Sequence, residues 1–393
     1  MTASPDSHAA NRAGTAMATR HFARWYRIHR WTSLICTLSL LLLCVTGMPL
    51  ILKDEIGDWT GTTVEPPDLP GVTGRASIDG MIADAQARRP HDAVRFVSQS
   101  DDSPAWYVSL GKTADAMEAT AVYKYDARTG EMIHDIPQNS GFMSIVRRLH
   151  VDLFTGLPGT LFIGLMGLLF VASMVSGIVV YGVFMRGLPF GTVRKARAAR
   201  VKWLDLHNLL GIAAASWLLV VGVTGAINTL ALPMLSHWQS TELPAMMGQF
   251  RGAPPLTALG SAQQAIDTAR GAAPGMEVSF VGFPASRFST TRHYMVFMRG
   301  DSPLTSRLLE PVMVDAGSGR LVAARPLPWY LTTILVSQPL HFGDYGGMPM
   351  KILWLIFDLV AIVVLVSGLA LWWARRDAVW TRRQKLARTA ERL

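Results

Sequence analysis

The chain has 393 residues, 50% hydrophobic and only 17% charged, where soluble domains carry about 25% charge. That excludes a disordered chain and argues against an ordinary water-soluble enzyme. The balance of 37 Lys+Arg against 28 Asp+Glu gives +9, a surplus whose meaning depends on where the charges lie.

From the N-terminus, residues 1–20 are mostly small and polar and read as a disordered tail. Residues 21–52 contain a first span, uncharged from Thr32 to Leu52, close to the 20 or so apolar residues a bilayer crossing needs. The long preceding tail and the lack of a small-x-small site after Leu52 favour an uncleaved anchor over a signal peptide. Cys36 and Cys44 lie eight apart on this stretch, about 12 Å along a helix, too far to bond each other. No disulfide framework and no zinc motif is formed.

Residues 53–149 open on Pro66, Pro67 and Pro70, pass through an Ala-rich helical pattern at 77–89 and extended runs at 106–110 and 121–125, and include the turn Asp126-Ala-Arg-Thr-Gly130. Helix followed by antiparallel strands reads as a small α+β module. A second span lies in 150–185, a basic loop in 186–202, and a third span in 203–235, where Pro233 is expected to end the helix. Residues 236–340 repeat the module, with Pro254 and Pro255, a helix at 260–270, extended runs at 294–298 and 311–314, and the turn Asp315-Ala-Gly-Ser-Gly319. The fourth span, 341–374, contains Asp358, with Asn228 of the third span as its expected partner, and a basic tail fills 375–393.

Residues 1–30, 186–202 and 375–393 hold 18 of the 37 Lys/Arg and three acidic residues. By the positive-inside rule these segments are cytoplasmic, both termini are inside, and the two modules are outside. The positive surplus is then a topology signal and no nucleic-acid partner is expected. Trp25, Trp31, Trp203, Trp372, Trp373 and Trp380 cluster at the same ends, as interfacial aromatics do.

The two halves repeat. His29 precedes Val45-Thr46-Gly47 by 16 residues, and His207 precedes Val223-Thr224-Gly225 by 16. His150 precedes Val175-Ser176-Gly177 by 25, and His341 precedes Val366-Ser367-Gly368 by 25. Both copies enter from the cytoplasm, so they are parallel repeats about an axis along the membrane normal. The predicted fold is an α+β membrane protein: a four-helix transmembrane bundle from two parallel repeats, carrying two outer modules.

Topology sorts the histidines into two layers, His29 with His207 at the cytoplasmic face and His150 with His341 at the outer face. Facing imidazoles in a helical bundle suit a bis-histidine haem, so a haem is expected in each layer. Gly47 lies about 27 Å along its helix from His29, and Gly225 likewise from His207, so both reach the outer layer. Gly177 and Gly368 reach the cytoplasmic one, where small residues let a flat macrocycle approach the backbone. Arg30 and Arg148, with Arg27 and Arg147, are placed to neutralise propionates. A lone interfacial histidine is ordinarily a headgroup contact, and small residues in spans ordinarily serve helix packing. Zinc or copper at two histidines is under-ligated. His8, His21, His91, His134, His237 and His293 have no mate at equal spacing and read as surface residues. No catalytic triad, P-loop or dinucleotide fingerprint occurs.

The paired modules with their D-x-x-x-G turns resemble PepSY domains. The entry from Arg24 to Trp31, the Leu149-His150 and Leu340-His341 entries and the V-S-G ends resemble the PepSY-associated transmembrane family of bacterial inner-membrane proteins. The resemblance covers nearly the whole chain and implies two periplasmic PepSY-like modules. Some members of that family resemble ferric-siderophore reductases with two b-type haems. Carried over by position, His29 and His207 would hold the inner haem, and His150 and His341 the outer one. The substrate implied is a periplasmic ferric siderophore, reduced from Fe3+ to Fe2+ with electrons from a cytoplasmic reductase or a quinol of the bilayer. Two other classes fit the sequence: a transporter without haem, and a PepSY regulator of an envelope protease.

Overall fold

A computed structural model describes residues 5–72, 74–138, 141–185, 189–194, 198–302 and 305–390. The first repeat runs α1 (Pro5–Ile51), α2 (Lys53–Trp59), α3 (Ile78–Arg88), β1 (Ala93–Gln99), β2 (Ala105–Gly111), β3 (Ala121–Asp126), β4 (Met132–Ile136), α4 (Gly141–Val151) and α5 (Leu157–Phe184). The second runs α6 (Ala199–Ala213), α7 (Ala215–Asn228), α8 (Ala231–Met246), α9 (Ala262–Ala272), β5 (Met276–Gly282), β6 (His293–Gly300), β7 (Glu310–Asp315), β8 (Leu321–Ala324), α10 (Trp329–Phe342) and α11 (Gly347–Ala390). Two compact units result: a helical unit of residues 1–52, 146–229 and 337–393, and a sheet unit of 53–145 and 230–336. Of the basic segments, Arg186, Lys195, Arg197 and residues 391–393 lie outside the described residues.

In the helical unit α1, α5 and α11 are each long and apolar enough to cross a membrane. The third span differs from expectation. It is broken into α6 and α7, bent by 67°, giving three candidate membrane helices, or four if the bent pair is one span. The break falls at Ala214, whose ψ of 1° leaves the helical range, within the small-residue run Gly211-Ile-Ala-Ala-Ala-Ser216. Ala214 is fully buried in a cluster with Trp217, Leu218 and Ala361. Pro233 does not terminate this span either. It sits in the first turn of α8, where a missing backbone N–H has no helical partner to lose. Residues 5–20, expected as a disordered tail, continue α1 from Pro5.

His150 and His341 precede the second and fourth spans. Each ends a separate short helix, α4 or α10. The first break carries left-handed Leu153, Phe154 and Gly156, the second Gly343 and Gly347.

The sheet unit is one antiparallel sheet of order β4-β3-β2-β1-β5-β6-β7-β8, where the sequence suggested two separate modules. β1 and β5 join the halves through Phe96↔Gly282, Val97↔Val281 and Ser98↔Phe280. A four-stranded half would expose either strand as an open edge, and pairing them removes both edges. Neither strand is anticipated from sequence. Each carries an irregularity at the equivalent place, between Val94 and Phe96 and between Val278 and Phe280.

Helices α3 and α9 cover one face, burying Ile78, Met81, Ile266 and Ala269 in one cluster with Val97, Val108, Val281 and Val296 from both halves. Their N-termini are capped by Ser77 and Ser261, and each also caps the other. Asp79 accepts from the Ala262 and Gln263 amides at 2.8 and 3.2 Å, while the Ile78 amide donates to Gln263 Oε1 at 3.2 Å. Such caps are worth about 1 kcal/mol each. The two D-x-x-x-G turns are alike: the Gly130 and Gly319 amides donate to the Asp126 and Asp315 carbonyls, both at 2.8 Å, with φ of 78° and 68°.

His293, expected at the surface, is fully buried on β6. Its Nδ1 is hydrogen-bonded to the Thr290 hydroxyl at 2.6 Å, and its Nε2 has no partner. Burial holds this imidazole below its ordinary value, which is about 6.5. As pH falls through that value the unfolded chain takes a proton that the folded chain refuses, so stability falls. Arg128, through its hydrogen bonds, holds Asp126 below the usual carboxylate range. Burial opposes the same shift at Asp315, but the Ser318 bonds and Arg292 outweigh it. These two contributions are present above about pH 4 and fade below it as the carboxylates protonate. Hydrogen exchange at the β6 amides should therefore accelerate between pH 7 and 5, after correction for intrinsic rates, and His293→Phe should flatten that step. Protection unchanged over this range would remove His293 from the account.

Candidate functional site

All four symmetric histidines lie in the helical unit, and the structure brings them together across the repeats. The ring centroids of His29 and His207 are 6.2 Å apart, and those of His150 and His341 are 6.3 Å apart. Both pairs are tilted by 59°. Pairing runs between repeats, and each layer takes one ring from each half.

Each ring is anchored within its own repeat by the same device. His29 Nδ1 donates to the Ser173 carbonyl at 2.9 Å, His207 to Val364 at 3.0 Å and His341 to Val221 at 3.0 Å, while His150 bonds to the Leu43 backbone. Every one of these carbonyls belongs to the residue four before a V-T-G or V-S-G glycine. Residues i and i+4 share a helix face, so each glycine lies beside the ring that its carbonyl anchors. The glycines meet the rings accordingly. A methyl at Gly225 would stand 2.9 Å from His341 Cε1, at Gly177 3.0 Å from His29, at Gly47 3.3 Å from His150 and at Gly368 3.5 Å from His207. The imidazole edge occupies the space that each glycine leaves open.

The hydroxyl of the same motif contributes, which sequence reasoning missed although it stands in the repeated tripeptide. Thr46 Oγ1 already donates to the Leu42 carbonyl at 2.7 Å, so it accepts the His150 Nδ1 proton at 3.0 Å. Ser367 accepts from His207 at 3.0 Å, and Thr224 from His341 at 3.4 Å. In the remaining case Ser173, not Ser176, lies 3.4 Å from His29 Nδ1. A ring that donates from Nδ1 has its lone pair on Nε2, on the far side of the ring from the anchoring carbonyl.

Arg30, beside His29, lies 5.0 Å from the Trp31 ring and has a buried Nε without a partner. Arg148 stands 4.7 Å from the Phe154 ring. Asp358 does not meet Asn228. Asn228 accepts from the Ser337 hydroxyl, and Asp358 lies against Cys44 of α1. Among the described residues no group of three or more His, Cys, Asp or Glu is placed to hold a metal ion.

Fold and site together define a membrane protein with an eight-stranded antiparallel sheet and two cross-repeat histidine pairs within its helical unit. The chain belongs to the PepSY-associated TM region family, whose description matches residues 26–375. It is similar to an uncharacterized protein of Pseudomonas aeruginosa, 29% identical over 267 residues, which are 62% of this chain and 66% of that protein.

Proposed function

We propose that this protein is a transmembrane electron carrier that binds two b-type haems and reduces a ferric siderophore on the periplasmic side of the bacterial inner membrane. His29 and His207 would hold the cytoplasmic-side haem, and His150 and His341 the periplasmic-side one. The observation that carries this reading is the spacing of the rings. A metal gripped from both sides at about 2 Å per nitrogen sets the two centroids about 6 Å apart, which both pairs match. Two nitrogens do not complete a zinc shell. A macrocycle that fills four equatorial positions asks the protein for two axial ligands, the number each pair offers.

Bound there, haem would supply one-electron chemistry. The chain's own residues fix the tautomer through Nδ1, hold each ring against its glycine, and keep the pair in low-dielectric surroundings. No side chain is required as acid or base. Reduction aids iron release because oxygen chelators hold hard Fe3+ better than Fe2+, and the electron donor is a cytoplasmic reductase or a quinol. The testing experiment is a pyridine haemochrome count with oxidised and dithionite-reduced spectra of the detergent-purified chain, expressed with ample haem precursor. Two b-type haems per chain are expected; a colourless protein refutes the reading and leaves a transporter or a protease regulator in its place.

A further inference from the structure

The repeats are not equivalent around their two histidine pairs. Asp358 lies 17 residues after His341, and the position 17 after His150 is Gly167. Cys44 lies 15 residues after His29, and the position 15 after His207 is Gly222. The thiol–carboxyl pair is thus present on one side of the pseudo-two-fold axis and replaced by two glycines on the other.

Its location is specific. Asp358 is only 7% exposed, and its Oδ2 is buried without a hydrogen-bond partner. A single methyl on Gly47 would lie 3.3 Å from His150 Cε1 and 3.9 Å from Asp358 Oδ2, so the carboxyl and the imidazole border the same small space. Among the described residues, the titratable groups placed beside it are Cys44 on α1 and His150 at the end of α4. An ionisable group inside a membrane span costs several kcal/mol and ordinarily has a function to explain it, and a buried polar atom without a partner calls for the same explanation.

We propose that Asp358 makes the two pairs unequal: its carboxylate, beside His150 and remote from the His29–His207 pair, disfavours an added electron at the first of these sites and sets its reduction potential below that of the other. The inference rests on the proposed haem binding and adds to it a charge that stands on one side of the pseudo-two-fold axis only. A negative charge that borders the same space as one of a centre's ligands, in a weakly screened interior, acts on that centre strongly. The second centre is too far away to be affected comparably. Asp358 acts here as a tuning residue, not a ligand.

The test is an equilibrium redox titration of the full, haem-loaded chain followed by its spectra, with His207→Ala identifying the step that belongs to the His150–His341 pair. Asp358→Asn should keep both haems and ease reduction at that pair by at least tenfold in equilibrium constant, about 59 mV for one electron. The other step should stay in place, and Asp358→Glu should remain close to the parent. Two unmoved steps, two steps moved together, or loss of a haem in Asp358→Asn would each overturn the inference and leave the proposed haem binding of the parent chain standing. A parent chain that binds no haem refutes the proposed function itself, and this inference with it.

Discussion

Replacing His341 with alanine is expected to remove one of two haems and to abolish reduction of a ferric chelate, with the other haem retained. The ring is one half of its pair, 6.3 Å from His150, and no third His, Cys, Asp or Glu in the described residues joins the pair to take its place. His150→Ala should give the same result, since the pair needs both members. Thr46→Val is the milder comparison. It removes the acceptor 3.0 Å from His150 Nδ1 but spares the ring, and loss of such an outer partner typically costs about 10–100-fold in affinity. Haem titration separates the three variants. Full chelate turnover in His341→Ala or His150→Ala would refute the assignment of this layer.

The second large effect is expected at the glycines, and it is graded. Gly225→Ala and Gly177→Ala would put a methyl 2.9 and 3.0 Å from a histidine ring, closer than carbon atoms pack, so the ring must leave its anchoring carbonyl or the helices must separate. Overpacking of this kind costs about 1–3 kcal/mol. Gly47→Ala, at 3.3 Å, should cost less. Gly368→Ala, at 3.5 Å, makes an ordinary contact, and the alanine recovers up to about 1 kcal/mol of helix propensity, so this variant should be neutral or slightly stabilised. Thermal unfolding and haem affinity of the four variants should follow that order. Equal effects at all four would mean that the ring contact is not why glycine stands there.

The layers of this site were legible because membrane spans announce themselves by composition and because equal spacings in two repeats cannot easily be accidental. The glycines were legible as positions, but their neighbour was not: the sequence suggests a macrocycle against them, and the structure sets an imidazole edge there. The Thr and Ser of the tripeptide were overlooked because a hydroxyl in a span usually bonds back to its own helix, as Thr46 also does to Leu42. In the sheet, the turns and capped helices carry local signals, whereas β1 and β5 are set by pairing between halves 184 or so positions apart, which no short window contains. The break at Ala214 was invisible for a similar reason. Ala213, Ala214 and Ala215 are strong helix formers, and the buried cluster with Trp217 and Ala361 is not visible in a short window.

The joined sheet and the crossed histidine pairs have a common consequence for how the chain can be divided. Cut in the loop between the repeats, either half would own one ring of each pair, one cap of the α3–α9 exchange and one bare strand edge. Two copies of such a half could in principle close on each other and rebuild everything the symmetry provides. They could not rebuild a lone carboxyl, because any residue placed in one copy would arrive twice. Linking the halves in one polypeptide is what permits a single carboxyl to stand beside one ring of a pair and not beside its mate.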